Sequence, residues 1–411
     1  MVDSAAHSLR ALRYRDYRTF LLGQGVALIG TWCQRVAISW LVYRTTGSAL
    51  LLGIAAFAGE ICFLFIAPFG GVIADRVRRG PALIAVQAVS ALQAFTLAML
   101  VWMGWATFGW IAALALLLGA CQAIEMPLRQ AMFSDLVTDP RDLPNAIALM
   151  AFMNNAGRLV GPIIAGIVIG FAGEDVCFAI NGFGYVFVII ALLTMKLPQR
   201  PARAGGGRVL NELRDGFAYA WRQLPIRATL GLLATVGFCY LPYLVIMPVF
   251  THDVLRADAR VLGFLLSAAG LGAVGGLVWI ASSANADTVP RMLVISGAVG
   301  GLGMLALAIC TTVVPVALSL AAVGFGIVVT ATAGNVYLQA TCAPEKRGRV
   351  LGLFTMCFLG IAPLGNLLAG SLIERIGSQP TLLMLGSVGL LCTALFQRQR
   401  PRIEAIVRAA Q

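Results

Sequence analysis

Gly70-Gly71-Val72-Ile73-Ala74-Asp75-Arg76-Val77-Arg78-Arg79 joins two apolar runs, each long enough to cross a bilayer, and the pattern recurs nowhere else in the chain. Three arginines and one acid in so short a turn mark a loop at the water line on the cytoplasmic side. Glycines just inside hydrocarbon let another helix approach closely.

The composition around this loop agrees with a life in lipid. Of 411 residues, 59% are hydrophobic and only 12% are charged, against roughly 25% charged in soluble domains. Twelve apolar stretches are expected to span the membrane: 17–43, 49–74, 82–104, 107–133, 143–171, 175–196, 227–250, 260–283, 290–311, 313–340, 348–373 and 378–397. Each is close to or above the ~20 residues a helix needs to cross hydrocarbon. Alternation of period two is absent, which argues against an outer-membrane barrel, and helices satisfy their own backbone groups in lipid. The fold class is an all-α polytopic membrane protein with twelve transmembrane helices.

The basic residues orient it. With both termini cytoplasmic, all but six of the 30 lysines and arginines fall on the inner side; Arg44, Arg256, Arg260 and Arg375 lie outside, and Arg35 and Arg158 lie within spans. This asymmetry is the positive-inside rule for an inner, cytoplasmic membrane. The net charge of +12 then follows from topology and anionic lipid, and no nucleic-acid partner is expected. The first sixteen residues are polar and the first apolar run is too long for a signal-peptide core, so the first span is expected to be retained. Segment 8–15 reads as a short amphipathic helix or as an ordinary basic flank. The nine cysteines include no C-x-x-C pair and are expected to pack the spans. His7 and His252 are the only histidines, which argues against a bare-metal site. No Gly-x-x-x-x-Gly-Lys loop or nucleophile-base arrangement supports a primary pump or an enzyme. No metal and no cofactor are expected.

A polar stretch from Lys196 to Arg227 divides the spans six and six. The expected organisation is a first helical bundle over 1–196, a cytoplasmic linker over 197–226 holding an amphipathic run from Leu210 to Trp221, and a second bundle with a basic tail over 227–411. The halves repeat weakly. Asn145-Ala146-Ile147-Ala148-Leu149 through Gly161-Pro162-Ile163-Ile164-Ala165-Gly166 matches Arg349-Val350-Leu351-Gly352-Leu353 through Gly365-Asn366-Leu367-Leu368-Ala369-Gly370 at a constant offset of 204 residues. This equates span 5 with span 11 and implies parallel halves related by an axis along the membrane normal.

The chain resembles the major facilitator superfamily over nearly its whole length, through the stretch Gly71 to Arg79, which matches the signature between that family's second and third helices. Within it the chain is most similar to the drug and siderophore exporter branch that includes macrolide efflux proteins and the enterobactin exporter. Gly30-Thr31-Trp32-Cys33-Gln34-Arg35-Val36-Ala37, Pro127-Leu128-Arg129-Gln130-Ala131 and Leu143-Pro144-Asn145-Ala146 running into Gly161-Pro162 carry that likeness. The resemblance implies a monomer of two pseudo-symmetric six-helix bundles rocking about a central cavity. It implies export of small amphipathic organic molecules across the inner membrane by proton antiport. It also implies a gating loop of Gly71, Asp75, Arg76 and Arg79, in which Asp75 contacts the start of helix 11. Gly157, Gly161, Pro162 and Gly166 resemble the antiporter motif of the fifth helix, with its glycine pattern thinned. The equivalent loop of the second half, 282–291, has lost most of the signature, so any latch is asymmetric.

Small residues on spans 5 and 8, including Gly270, Gly272, Gly275 and Gly276, suit helix surfaces that separate and re-dock. Ionisable groups deep in hydrocarbon cost several kcal/mol unless paired or hydrated, so the few present are the leading functional candidates. They are Arg35, Glu60, Glu125 and Arg158, joined by Gln34. Glu60 and Arg158 each sit ~22 Å from the cytoplasmic end of their span and share a depth. Glu60 is expected to pair with Arg35 or Arg158, leaving a proton or a charged substrate to compete for the pair, and Glu125 is expected to pair with Arg129 one turn away. The second half offers Asn335, Gln339 and Asn366 with aromatic and methionine residues such as Phe238, Tyr240, Tyr243, Met247, Phe325, Tyr337, Phe354, Met356 and Phe358. Most of these suit bundle core, and some suit a pocket for amphipathic molecules. Pro242, Pro248 and Pro363 interrupt spans 7 and 11. A lipid or metal-chelate carrier of the same fold, or import by uniport or symport, remain the alternatives.

Overall fold

A computed structural model describes residues 10–66, 77–139, 141–195, 209–283, 288–343 and 346–410. Within them, twelve helical segments are long and apolar enough to cross a membrane. Spans 1 to 6 are Arg15–Thr46, Ala49–Ile66, Arg79–Trp102, Phe108–Phe133, Leu143–Ala172 and Glu174–Thr194. Spans 7 to 12 are Leu224–Val254, Ala259–Ser283, Val289–Ile309, Val313–Thr341, Arg347–Ile376 and Ser378–Ile406. Span 12 runs further than its apolar stretch because helix continues to Ala410. Arg400 and Glu404, one turn apart at 3.0 Å, support that polar extension. The last part of the second apolar stretch, 67–74, lies outside the described residues.

Spans 1 and 2 join at the end of the molecule opposite the termini, called here the far end. The chain reverses there through left-handed residues at Gly47, Gly104, Gly173 and Gly377, where a side chain would be strained. In the first half span 1 packs on spans 5 and 6, span 3 on spans 4 and 6, and span 2 on span 4. In the second, spans 8 and 9 pack on span 10, and span 12 packs on spans 7 and 9.

Among the described residues, two junctions carry most of the packing between the halves, span 2 with span 11 and span 5 with span 8. They are built alike. A Cβ at Gly53 would strike the Asn366 carbonyl and Gly370, and a Cβ at Gly263 would strike the Pro162 carbonyl and Gly166. Asn366 and Gly370 are the residues that the 204-residue repeat equates with Pro162 and Gly166. The same small-residue contact is therefore made twice around the pseudo-axis, backbone against backbone. The other glycines divide by partner. Gly157 and Gly161 fit against Leu28 and Trp32 of span 1 inside the first half, and Gly272 and Gly276 fit against span 10 inside the second. Only Gly166 and Gly270 of the glycines expected to re-dock lie at the span 5 to span 8 junction; Gly275 has open space beside it.

Spans 7 and 11 are broken. Span 7 is helical over Leu224–Cys239 and Tyr243–Val249, with Pro242 at the break, and ends in a wide π turn over Phe250–Val254. Span 11 is helical over Arg347–Thr355 and Ala362–Ile376 around a five-residue π turn at Met356–Gly360. Each break sits next to a proline, which cannot donate the backbone bond that would continue the helix.

Candidate functional site

A cavity of about 510 Å³ lies between the halves, lined by both. It extends from the level of Ser39 and Leu52, past Glu60, towards the end that carries the termini, where Gln24, Arg129 and Asn155 border it. Among the described residues, hydrogen bonds joining the halves lie at mid-depth and at the far end. At the far end Tyr43 of span 1 donates to Asp253 of span 7 at 2.6 Å. Glu374 of span 11 accepts from the Ala49 and Leu50 amides at 2.8 and 3.2 Å and faces the Ser48 hydroxyl at 3.3 Å. That carboxylate satisfies amides which the first turn of span 2 leaves without helical partners.

Glu60 occupies the wall of the cavity. Its Oε1 lies 3.7 Å from Nη1 of Arg35, and its Oε2 accepts from Nδ2 of Asn366 at 3.0 Å. The partners come from opposite halves, so this one carboxylate touches spans 1 and 11 from its place on span 2. The offset that relates Gly53 to Gly263 takes Glu60 to Gly270, which packs on the backbone of Arg158 and Leu159. One junction thus carries a carboxylate where the other carries only close packing.

Arg158 does not reach Glu60. It donates to the Tyr243 hydroxyl at 3.0 Å across the halves, and its guanidinium lies 5.6 Å from the Trp32 ring. Arg35 lies 5.3 Å from the same ring. Trp32 therefore holds both guanidiniums by its π system, a contact worth about 0.5–2 kcal/mol depending on desolvation. The break at Pro242 presents Tyr243 to the cavity at the start of a new helix.

The remaining candidates fall elsewhere. Gln34 is wholly buried inside the first half, donating to Gln93 at 3.2 Å and accepting from Asn181 at 2.6 Å. Buried amides must be paired, and this triad of spans 1, 3 and 6 holds Gln34, one of the proton-coupling or substrate candidates, inside the first half and away from the cavity lining. Glu125 borders the cavity and is bonded to Arg129 at 2.8 Å, one turn away, and to Gln24 at 3.2 Å. Arg79 bridges to Asp135 at 2.8 Å and to the Ala131 carbonyl at 3.0 Å, tying the start of span 3 to the end of span 4. Gly71, Asp75 and Arg76 lie outside the described residues. Of the second-half residues, Tyr243 and Phe358 line the cavity with Asn366. Tyr240, Met247 and Tyr337 are buried in core instead. Tyr240 donates to the Gly297 carbonyl at 2.9 Å. Trp32, Tyr43, Asp253 and Glu374 are polar or π partners that single-residue reasoning passes over, because each acts only through a neighbour distant in sequence.

The family described as transmembrane secretion effector matches residues 6–409. The chain is 28% identical over 410 residues to the multidrug efflux pump Tap of Mycobacterium tuberculosis, covering 94% of this chain and 93% of that protein. It is 24% identical over 380 residues to the staphyloferrin A transporter of Staphylococcus aureus, covering 92% and 94%. The crystal structure of the nucleoside transporter NupG shares the fold with a TM-score of 0.77 at 14% identity, over 93% of this chain and 98% of that one. Twelve apolar helices, a cavity between their two sets of six, and these likenesses converge: the chain belongs to the transmembrane secretion effector family of the major facilitator superfamily, and is a membrane transporter, not an enzyme.

Proposed function

We propose that this protein exports amphipathic organic molecules of the drug or siderophore class by alternating access, in exchange for protons taken up on Glu60. The observation that carries the reading is the position of Glu60 inside the cavity, between Arg35 of one half and Asn366 of the other. A proton on Glu60 removes the charge that Arg35 faces and alters the bond across spans 2 and 11. The occupancy of one site is thereby linked to the contact between the halves. A cationic group of a substrate competes with the proton for the same carboxylate, which is the sign that exchange requires. The aromatic walls at Trp32, Phe63, Tyr243 and Phe358 suit an apolar body. Junctions closed at the far end, with the cavity running to the end of the termini, favour a state open to the cytoplasm. The placement of arginine and lysine favours both termini there.

The test is transport in proteoliposomes with an imposed pH gradient, comparing wild type with Glu60→Gln and with protein-free vesicles. A macrolide, ethidium and an iron-free polycarboxylate siderophore serve as probes. Exchange predicts that at least one probe accumulates on the acidic side with wild type and equilibrates without accumulating with Glu60→Gln. Accumulation that survives Glu60→Gln removes the proton role from Glu60.

A further inference from the structure

The helix Val209–Arg222, which leads from the first six spans to span 7, has two unlike faces. Gly216, Tyr219 and Ala220 turn to the protein: Gly216 lies against Cβ of Arg349, the Tyr219 hydroxyl accepts from the Ala343 amide at 3.2 Å, and Ala220 is buried. Phe217 and Trp221, one turn apart, turn away from it. They are 59% and 64% exposed, and their rings stack at 6.0 Å with an interplanar angle of 16°. Two large rings are thus held as one slab that no part of the described protein covers.

The height of this slab is fixed by its neighbours. Span 7 begins at Leu224, three residues after Trp221, which is ~4.5 Å of helical rise. Ala343 closely follows the end of span 10 and Arg349 lies in the first turn of span 11. The helix therefore sits where three spans leave hydrocarbon, the level that tryptophan prefers. Arg214 and Arg222 on the same helix, and Arg227 just beyond it, are exposed, while Asp215 faces Arg349 at 3.5 Å. Exposed aromatic rings flanked by cations are complementary to acyl chains beneath anionic headgroups.

We infer that the helix Val209–Arg222 is a lipid-binding element lying in the plane of the leaflet, with Phe217 and Trp221 among the acyl chains and Arg214 and Arg222 on anionic headgroups. Through Arg349 and Ala343 it ties that leaflet to the ends of spans 10 and 11, and span 11 carries Asn366. The lipid surface is the occupant because it is continuous with the apolar faces of the spans the helix abuts.

The test is photocrosslinking of the full chain carrying p-benzoylphenylalanine in place of Phe217 or Trp221, in vesicles of phosphatidylethanolamine and phosphatidylglycerol at 3:1, with products read by mass. The same replacement at Phe187, 53% exposed on span 6, calibrates lipid capture. The inference expects lipid adducts at 217 and 221 in yields within about two-fold of that at 187. It expects phosphatidylglycerol to be over-represented among them by two-fold or more, with that excess, but not the adducts, lost in Arg214→Gln/Arg222→Gln. Absence of lipid adducts at 217 and 221 while 187 gives them overturns it, as does capture of a second copy of the chain. Phosphatidylglycerol captured only in proportion to its share of the vesicle overturns the headgroup assignment.

Discussion

Glu374→Ala isolates the far-end closure. In the structure one carboxylate oxygen of Glu374 takes two amide bonds, at 2.8 and 3.2 Å, and faces a hydroxyl at 3.3 Å. Losing an N-terminal cap costs about 0.5–2 kcal/mol, and a charge at the positive end of a helix adds about 0.3–1 kcal/mol. Glu374 is exposed, so water replaces part of what is lost and a net effect of about 1 kcal/mol is expected. Acceptor and donors stand on different halves, on spans 11 and 2. All of this energy is therefore lost when the halves part at the far end, and none of it is lost within either half. A shift of about 1 kcal/mol changes the ratio of closed to open far ends about five-fold. Spin labels placed by Thr45→Cys and Gln379→Cys, in a background without reactive native cysteines, report the separation by double electron-electron resonance in nanodiscs. The long-distance population relative to the short should rise about five-fold in Glu374→Ala and less in Glu374→Gln, which keeps an acceptor without the charge. Asp258→Ala removes an exposed acid that caps span 8 within its own half and should leave the distribution unchanged. An unaltered distribution in Glu374→Ala, or an equal change in Asp258→Ala, would refute the reasoning.

Three further outcomes are expected. Gly263→Val forces a side chain against the Pro162 carbonyl, overpacking of about 1–3 kcal/mol at the span 5 to span 8 junction; Gly53→Val should match it by symmetry, both proteins remaining folded by size-exclusion chromatography while transport falls at least five-fold. Arg44→Ala removes the two-pronged contact to Glu174, at 2.9 and 3.1 Å, and leaves a carboxylate only 7% exposed. Thermal unfolding in detergent should show a loss of about 1–3 kcal/mol that shrinks in a Glu174→Gln background. Tyr240→Phe removes a buried hydroxyl bond to the Gly297 carbonyl, which keeps its partner within the helix of span 9, and should cost about 1 kcal/mol by the same measurement, with substrate affinity unchanged because Tyr240 lies outside the cavity.

The sequence alone carried the residues that matter for class, because burial in lipid imposes its own grammar. Apolar length produced the twelve spans, prolines marked the breaks in spans 7 and 11, and the scarcity of charge in hydrocarbon singled out Arg35, Glu60 and Arg158. Even the offset of 204 residues between Gly166 and Gly370 proved geometric, since the two glycines make the same contact at the two junctions.

Partnership was a different matter. Arg35 and Arg158 look alike from sequence, and depth along a helix cannot tell which of them faces Glu60. Rotation of span 5 against span 7 sends Arg158 to Tyr243 and leaves Arg35 to the carboxylate. Gln34 has the chemistry of a cavity residue, yet the angle of span 1 turns it into the amide triad with Gln93 and Asn181. The sequence determined which groups must lie within the membrane, because hydrocarbon penalises every exposed polar atom whatever its neighbours. Only the tertiary structure decided which of those groups meet, because rotation of each span about its own axis is fixed by packing against helices far away in the chain.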